Sequence, residues 1–327
     1  MPANLPPEYF SAEKRFKEAT APKEKIAALE EVISTVPKHK GTDKLRAELR
    51  RKLSQLREEA VRKKKSGKGD VYTVEKQGAS QVSLAGFSNA GKSSILKTLT
   101  NASPVIADYP VSTLAPLAGM MPFEDIQFQL VDLPPIGNES TDGWVSAILR
   151  NSDVLMLVVD LAEDPDIQAE LLIDQLSTWK IPLLKKGESR GEGTLSHKPV
   201  MIAANKSDLP GAEQGLINVR QKYELLYPII GVSAISKEGI EELRGAVFEN
   251  SRVIRAYSKE PGKEPDRKKP FVLPAGSTVL DLAEMIHRDF SRNLKYASVW
   301  GSAKFEGQRV QRDHVLHDRD VIEYHLK

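Results

Sequence analysis

Gly86-Phe87-Ser88-Asn89-Ala90-Gly91-Lys92-Ser93 follows an apolar run, Val82-Ser83-Leu84-Ala85, and precedes Ser94-Ile95-Leu96-Lys97-Thr98-Leu99, whose apolar spacing is helical. The eight residues fit G-x-x-x-x-G-K-[ST], the phosphate-binding loop, and a strand before it with a helix after it is the context such a loop needs. The glycines let backbone N–H groups turn inward around a phosphate. Lys92 can reach the outer phosphates and Ser93 can ligate Mg²⁺. Gly86, Asn89, Ala90, Gly91, Lys92, Ser93 and Ser94 are therefore read as cofactor-binding residues.

Outward from this loop, between residues 71 and 250, the apolar runs at 82–85, 128–131, 154–159, 200–203 and 229–232 alternate with helical patterns. Near-continuous apolar strands separated by helices predict an α/β domain whose parallel sheet is covered on both faces. Asp132 ends the run 126–131, where a carboxylate at the carboxyl end of a strand can hold Mg²⁺, often through water. Asp160 ends the next run and competes; Asp132 is preferred because Leu133-Pro134 follows it.

Asn205-Lys206-Ser207-Asp208 directly follows the run 200–204. Guanine offers N1–H and N2–H₂ donors on one edge, and a carboxylate that accepts both rejects adenine. Asp208 suits that role, Asn205 can bond the other side of the base, and the Lys206 stem can cover its face. Ser233-Ala234, after 229–232, can supply a backbone N–H to the guanine oxygen.

The chain has 327 residues, enough for two or three domains, and is 40% hydrophobic and 28% charged, as ordinary globular proteins are. It has no cysteine, which excludes disulfides, thiolate metal sites and thiol catalysis. The run 154–159 is far too short to span a bilayer, and the N-terminus lacks a basic-then-apolar signal pattern. A cytoplasmic, soluble monomer with no membrane partner is expected.

Residues 1–70 read as a basic helical hairpin. Ile26, Leu29, Val32, Ile33 and Val36 recur at helix spacing, and Leu45, Leu49, Leu53, Leu56 and Ala60 form a second stripe. Residues 41–68 hold eleven basic against four acidic residues, and 251–269 hold seven against three. Charge gathered in two segments suggests a polyanionic partner, and the alternative is a solvated face. The second basic segment, 251–269, reads as a linker. Residues 270–327, one amphipathic helix among short strands, read as a small α+β domain with Ser277 and Thr278 as candidate caps. His314 and His317 sit in a predicted loop without metal spacing. Trp144, Trp179 and Trp300 read as core or interface residues rather than base-stacking platforms.

Together these motifs resemble the Obg superfamily of GTPases, especially the developmentally regulated GTP-binding (DRG) branch. Asp108-Tyr109-Pro110-Val111-Ser112-Thr113-Leu114-Ala115-Pro116 resembles the family's switch I, which implies that Thr113 senses Mg²⁺ and the γ-phosphate. Asp132-Leu133-Pro134 matches the start of switch II, and 205–208 with 233–234 match the guanine site. Leu273-Pro274-Ala275-Gly276-Ser277-Thr278, Gly307-Gln308-Arg309-Val310 and Asp313-His314-Val315-Leu316-His317-Asp318 resemble a TGS domain, a ubiquitin-like β-grasp module. The implied architecture is an N-terminal helical hairpin (1–70), a Ras-like P-loop GTPase domain (71–250), a basic linker (251–269) and a TGS domain (270–327). It implies GTP/GDP as ligand, Mg²⁺ as cofactor, slow hydrolysis in which Lys92, Thr113 and Asp132 take part, and a ribosome or other RNA assembly bound through the N-terminal helices and the TGS domain.

The chain departs from that family at two places, at Pro135 and in the length of the segment between Asp132 and Asn205. Pro135 stands where glycine is usual, and that position's N–H bonds the γ-phosphate in Ras-like GTPases; proline has none to give. Ile136 then holds the place where Ras-like enzymes carry a water-orienting glutamine; an apolar residue there is usual for this superfamily and implies slow hydrolysis, and Glu139 reads as a solvated loop residue, with water orientation as the alternative. The space from Asp132 to Asn205 is too short for the extra domain that the DRG branch inserts there. Asn89 matches the position at which related GTPases bind K⁺, which implies K⁺-stimulated hydrolysis; the alternative is an asparagine kept for its loop conformation. Two other readings stand beside a slow GTPase: a nucleotide-dependent binding module with negligible hydrolysis, and a P-loop ATPase or kinase, which 205–208 disfavours.

Overall fold

The computed structural model describes residues 11–12, 14–16, 22–36, 52, 73–100, 115–137, 141–188, 197–267 and 269–326. The chain divides into two compact units, Met1–Thr73 and Val74–Lys327. In the first, helix α1 (Pro22–Thr35) opens on proline, whose missing N–H costs nothing at a helix start. Leu29, Val32 and Val36 share a small core with Ala12, against which Phe16 and Ile33 pack. The expected first stripe is thus a helix with a buried face. The second stripe lies outside the described residues apart from Lys52, whose ammonium sits 5.1 Å from the centre of the Phe16 ring.

The second unit contains two sheets. In the larger, β1 (Gln81–Ala85), β3 (Ile126–Asp132), β4 (Val154–Asp160) and β6 (Lys198–Asn205) run parallel, in the order β3-β1-β4-β6. β5 (Leu183–Leu184) and β7 (Ile229–Gly231) both pair in parallel with β6, at successive stretches of that strand. Helices α2 (Lys92–Leu99), α3 (Asp142–Asn151), α4 (Pro165–Thr178), α5 (Ala212–Tyr223) and α6 (Ile240–Ser251) connect the strands. Every residue of β1 and β4 is buried, which is why they read as unbroken apolar runs.

Strand β2 (Leu117–Phe123) is not predicted by the apolar pattern. It carries Gly119 and Pro122, both poor strand residues. The structure explains the proline: β2 is the outermost strand, antiparallel to β3, and only an edge tolerates a missing N–H.

The smaller sheet has the order β11-β10-β12-β8-β9. Its strands are β8 (Val253–Lys259), β9 (Phe271–Pro274), β10 (Leu294–Trp300), β11 (Gln308–Val310) and β12 (Asp320–Leu326), with helices α7 (Val279–Ile286) and α8 (Arg288–Asn293) between β9 and β10. Thr278 caps α7 in a reciprocal box with Asp281. The linker expected at 251–269 is corrected here: its first half is β8, paired on both sides, to β12 and β9. Charge hid it. Ile254 and Ala256 alternate into the core beside Leu273, Leu282 and Ile322, while Arg255 and Tyr257 point the other way.

What lies there is the turn between β2 and β3. Arg255, 2% exposed, donates from Nη1 to Asp125 Oδ1 (2.8 Å) and to Glu124, and from Nε and Nη2 to Asp318 Oδ1 (3.1 Å) and Oδ2 (2.7 Å). Its guanidinium also lies 5.0 Å from the centre of the Phe248 ring on α6. Tyr257 donates to Asp125, and burial together with that carboxylate pushes its hydroxyl up to about 12. One buried cation therefore joins the two sheets by carboxylates from both.

Candidate nucleotide-binding site

All the parallel strands point their carboxyl ends at one rim, where ligands bind in folds of this type. The 86–93 loop leaves β1 there. A Cβ on Gly86 would stand 2.6 Å from the Val158 carbonyl, so the loop passes tightly against β4. Asn89 (φ 63°) and Gly91 (φ 91°) both take left-handed backbone, and a Cβ at Gly91 would also meet Asn205 Nδ2 at 2.1 Å. Helix α2 then begins with no side-chain cap and no acidic residue in its first turn, which leaves its free N–H groups open to an anion.

Lys92 is buried, and its Nζ donates to the carbonyls of Gly86 (3.1 Å) and Phe87 (2.9 Å). Ser93 donates its hydroxyl to Asp132 Oδ2, and Asp132 Oδ1 is buried with no hydrogen-bond partner among the described residues. Burial lowers the Lys92 pKa against the pull of Asp132; burial raises the Asp132 pKa against its bond from Ser93 and the charge of Lys92. Among the described residues neither is within ion-pair distance of an opposite charge, although each feels the other's. A divalent cation fits the orphaned Asp132 oxygen beside Ser93, and polyphosphate fits Lys92.

Asp160 does not share that position. It is ion-paired with Lys206 Nζ and accepts the Ala162 N–H at 3.0 Å. The structure thus brings Asp132 and not Asp160 to Ser93.

On the far side of the cavity, buried Asn205 is a bracket: Nδ2 donates to the Ala90 carbonyl (2.9 Å) and Oδ1 accepts the Ala234 N–H (3.2 Å). It ties β6 to the phosphate loop and to the loop after β7, which sequence spacing does not reveal. Lys206 (φ 69°) and exposed Asp208 line the same cavity, as do Ser94 and Ala234. The cavity measures about 510 Å³, ample for a small ligand.

Within the chain, the N–H groups of the Ser233-Ala234 turn are engaged. The Ser233 hydroxyl accepts from Ile235 N (3.2 Å) and Ser236 N (3.0 Å), Ala234 N is taken by Asn205, and Ser233 N by the Glu238 carbonyl. A base oxygen placed here would share a donor already in use.

The segment after β3, which resembles the start of switch II, carries two prolines. Pro134 and Pro135 line the cavity, and the N–H of buried Ile136 donates to the Gly86 carbonyl at 3.2 Å, the same oxygen that Lys92 bonds. Gly137 (φ 94°) then turns the chain away. Thr113, Asp108 and Glu139 lie outside the described residues. Among the described residues there is no cluster of metal-ligating side chains, His314 and His317 included, and no helix long and apolar enough to cross a membrane.

Residues 81–206 match the 50S ribosome-binding GTPase family, and 254–324 match the TGS domain. The chain is 30% identical to an uncharacterised GTP-binding protein of Methanocaldococcus jannaschii, over 93% of each chain. It is 28% identical to human developmentally-regulated GTP-binding protein 2, over 92% of this chain and 98% of that one, and 26% to developmentally-regulated G-protein 2 of Arabidopsis thaliana, over 92% and 90%. The chain belongs to the DRG family of GTP-binding proteins.

As a DRG-family protein it carries a P-loop GTPase sheet followed by a TGS domain, and the TGS match opens inside β8, in agreement with the strand pairing. A GTP-binding protein of Pyrococcus horikoshii shares the fold, with a TM-score of 0.52 over 76% of this chain and 100% of that one at 17% identity. Between Asp132 and Asn205 this DRG-family chain forms α3, β4, α4, β5 and β6, with no further domain among the described residues.

Proposed function

We propose that this chain binds GTP with Mg²⁺, hydrolyses it slowly to GDP, and acts on the ribosome or another RNA assembly. The observation that carries the reading is one cavity walled on one side by Lys92, Ser93 and the unpartnered oxygen of Asp132, and on the other by Asn205, Lys206 and Asp208. Lys92 neutralises phosphate charge, Asp208 selects guanine, and Gly86, Asn89, Ala90, Gly91 and Ser94 shape the phosphate cradle. Ser93 and Asp132 would hold Mg²⁺, with Thr113 joining them as the family resemblance implies. A bound Mg²⁺ supplies charge neutralisation on the transferring phosphate. Asn89, exposed and left-handed beside the phosphate loop, is the residue that would favour K⁺ stimulation.

The RNA partner is supported by the eleven-to-four excess of basic residues in 41–68 and by the TGS domain. A soluble cytoplasmic monomer fits this reading. Competition of ATP and GTP against a fluorescent guanine nucleotide, with Asp208→Ala alongside, tests the first half: GTP should win on the parent and lose its advantage on the variant. Equal displacement by ATP on the parent would reject it. Ribosome co-sedimentation at two salt concentrations tests the second, since phosphate-driven binding weakens with salt.

A second reading, a nucleotide-dependent binding module with negligible hydrolysis, is favoured by one observation. Pro135 has no N–H, and the next amide, of Ile136, is committed to Gly86. A single-turnover GTP assay with and without ribosomes separates the two readings.

A further inference from the structure

The outward face of the C-terminal sheet carries a second organised set of side chains. Strand pairing sets Arg309 of β11 opposite Ser298 of β10, Ser298 opposite Glu323 of β12, and Glu323 opposite Lys259 of β8, so one polar row crosses four strands. On one side of the row Tyr296 pairs with His325, and their rings stack with centres 4.4 Å apart and 15° between planes. On the other side stands Trp300, held by the turn before β11: a Cβ on Gly307 (φ 71°) would meet its ring at 3.0 Å. Each cation of the row lies over a ring. Arg309 is 3.8 Å from the centre of Tyr296, and Lys259 Nζ is 4.0 Å from that of Trp300. Glu323 stands in the middle, its carboxylate 3.2 Å from Lys259 Nζ and 2.9 Å from His325 Nε2.

The opposite face of these strands is core: Ala297, Val299 and Ile322 pack with Leu282 and Ala283 of α7. The early part of β8 is also covered, because Arg255 and Tyr257 meet Glu124 and Asp125. Beyond that contact Arg309 is exposed, and Tyr296, Trp300 and His325 are half-buried. Their distance along the chain conceals that three rings and two cations share one surface.

We infer that this face binds single-stranded RNA. Unpaired bases stack beside half-buried Trp300 and over the Tyr296–Arg309 pair, whose guanidinium carbon sits 3.8 Å from the ring centre, while phosphates meet Arg309 and Lys259. A duplex hides its bases from such rings, so unpaired RNA is the form that fits. An acidic peptide would meet Glu323 at the centre and gain nothing from the rings. The inference rests on the reading above that the protein acts on an RNA assembly.

The test is fluorescence anisotropy of the full chain with a short fluorescein-labelled oligouridylate, an RNA duplex of equal length, and polyglutamate as competitor. Trp300→Ala and Arg309→Ala should each weaken oligouridylate binding by roughly tenfold or more, with GTP affinity unchanged and Trp300→Phe retaining most of the binding. Duplex should bind more weakly, and polyglutamate should not compete. If the parent binds the oligonucleotide and both variants bind it equally well, this face is not the site although the RNA reading stands. If the parent binds no RNA, both fail. Competition by polyglutamate would make the face an acidic-peptide site. Arg309 lies exposed on the edge strand, so its variant answers the question even where Trp300→Ala fails to fold.

Discussion

The amide of Ile136 donates to the carbonyl of Gly86 at 3.2 Å, so the first residue of switch II that has an N–H after two prolines is bonded to the phosphate loop itself. Gly86 is a hub: its oxygen also accepts Lys92 Nζ. If the Ile136–Gly86 bond persists in every nucleotide state, the start of switch II is held in one place and reading the γ-phosphate falls to other residues.

Pro135→Gly restores an N–H where Ras-like GTPases use one. A hydrogen bond to a charged group contributes about 1.5–3 kcal/mol, so the preference for a non-hydrolysable GTP analogue over GDP should rise roughly tenfold or more. Calorimetric titration of both nucleotides checks it; an unchanged ratio would mean that the missing N–H is not what limits discrimination.

Asp132→Asn should raise the melting temperature of the nucleotide-free protein at neutral pH. The sign follows from burial. The Asp132 carboxyl is raised by folding, so its ionisation opposes folding at neutral pH, and the opposition fades as pH falls through the raised value. The advantage of the variant should therefore shrink in acid. With GTP and Mg²⁺ present the order should reverse, because the parent alone retains the charge for the cation. Melting curves across pH, with and without Mg²⁺, report both.

Gly91→Ala puts a Cβ 2.1 Å from Asn205 Nδ2 at a φ of 91°. The loop must shift and break the Asn205–Ala90 bond, so GTP affinity should fall at least about tenfold and stability by about 1–3 kcal/mol. Titration and denaturant unfolding would show it. Asn205 itself was legible as a polar residue after a strand, but its work as a bracket was not, since its two partners lie 115 and 29 residues away.

Much of the fold was legible for a simple reason. Buried parallel strands leave long apolar runs, and the phosphate loop and the 205–208 motif stand at their ends, where only backbone geometry has to be guessed. What escaped was decided by neighbours distant in sequence. β2 left no apolar run to read because it carries Gly119 and Pro122; Pro122 is tolerated only at an edge, and nothing local says which strand is outermost. β8 looked like a linker because Arg255 is a charge, and its three carboxylates arrive from the β2–β3 turn and from Asp318.

Arg255→Leu should cost about 3 kcal/mol, because it leaves carboxylates from both sheets facing one another without their cation; Glu124 and Asp318 are partly solvated, which keeps the figure from being larger. Burial alone would raise the Asp318 carboxyl, but its bonds from the Arg255 side chain and N–H outweigh burial and hold it below the usual range. Such stability is fully present above the ordinary carboxylate pKa of about 4 and is lost as pH falls through the lowered value. The parent should lose stability in acid more steeply than the variant, and calorimetry of the variant should split one transition into two.

The most direct measurement is hydrogen exchange of the Ile136 amide in the nucleotide-free, GDP-bound and GTP-analogue-bound protein. Pro134 and Pro135 carry no amide, so its signal is readily isolated. Equal protection in all three states is predicted. Protection that appears only with the γ-phosphate would contradict a switch II held by Gly86.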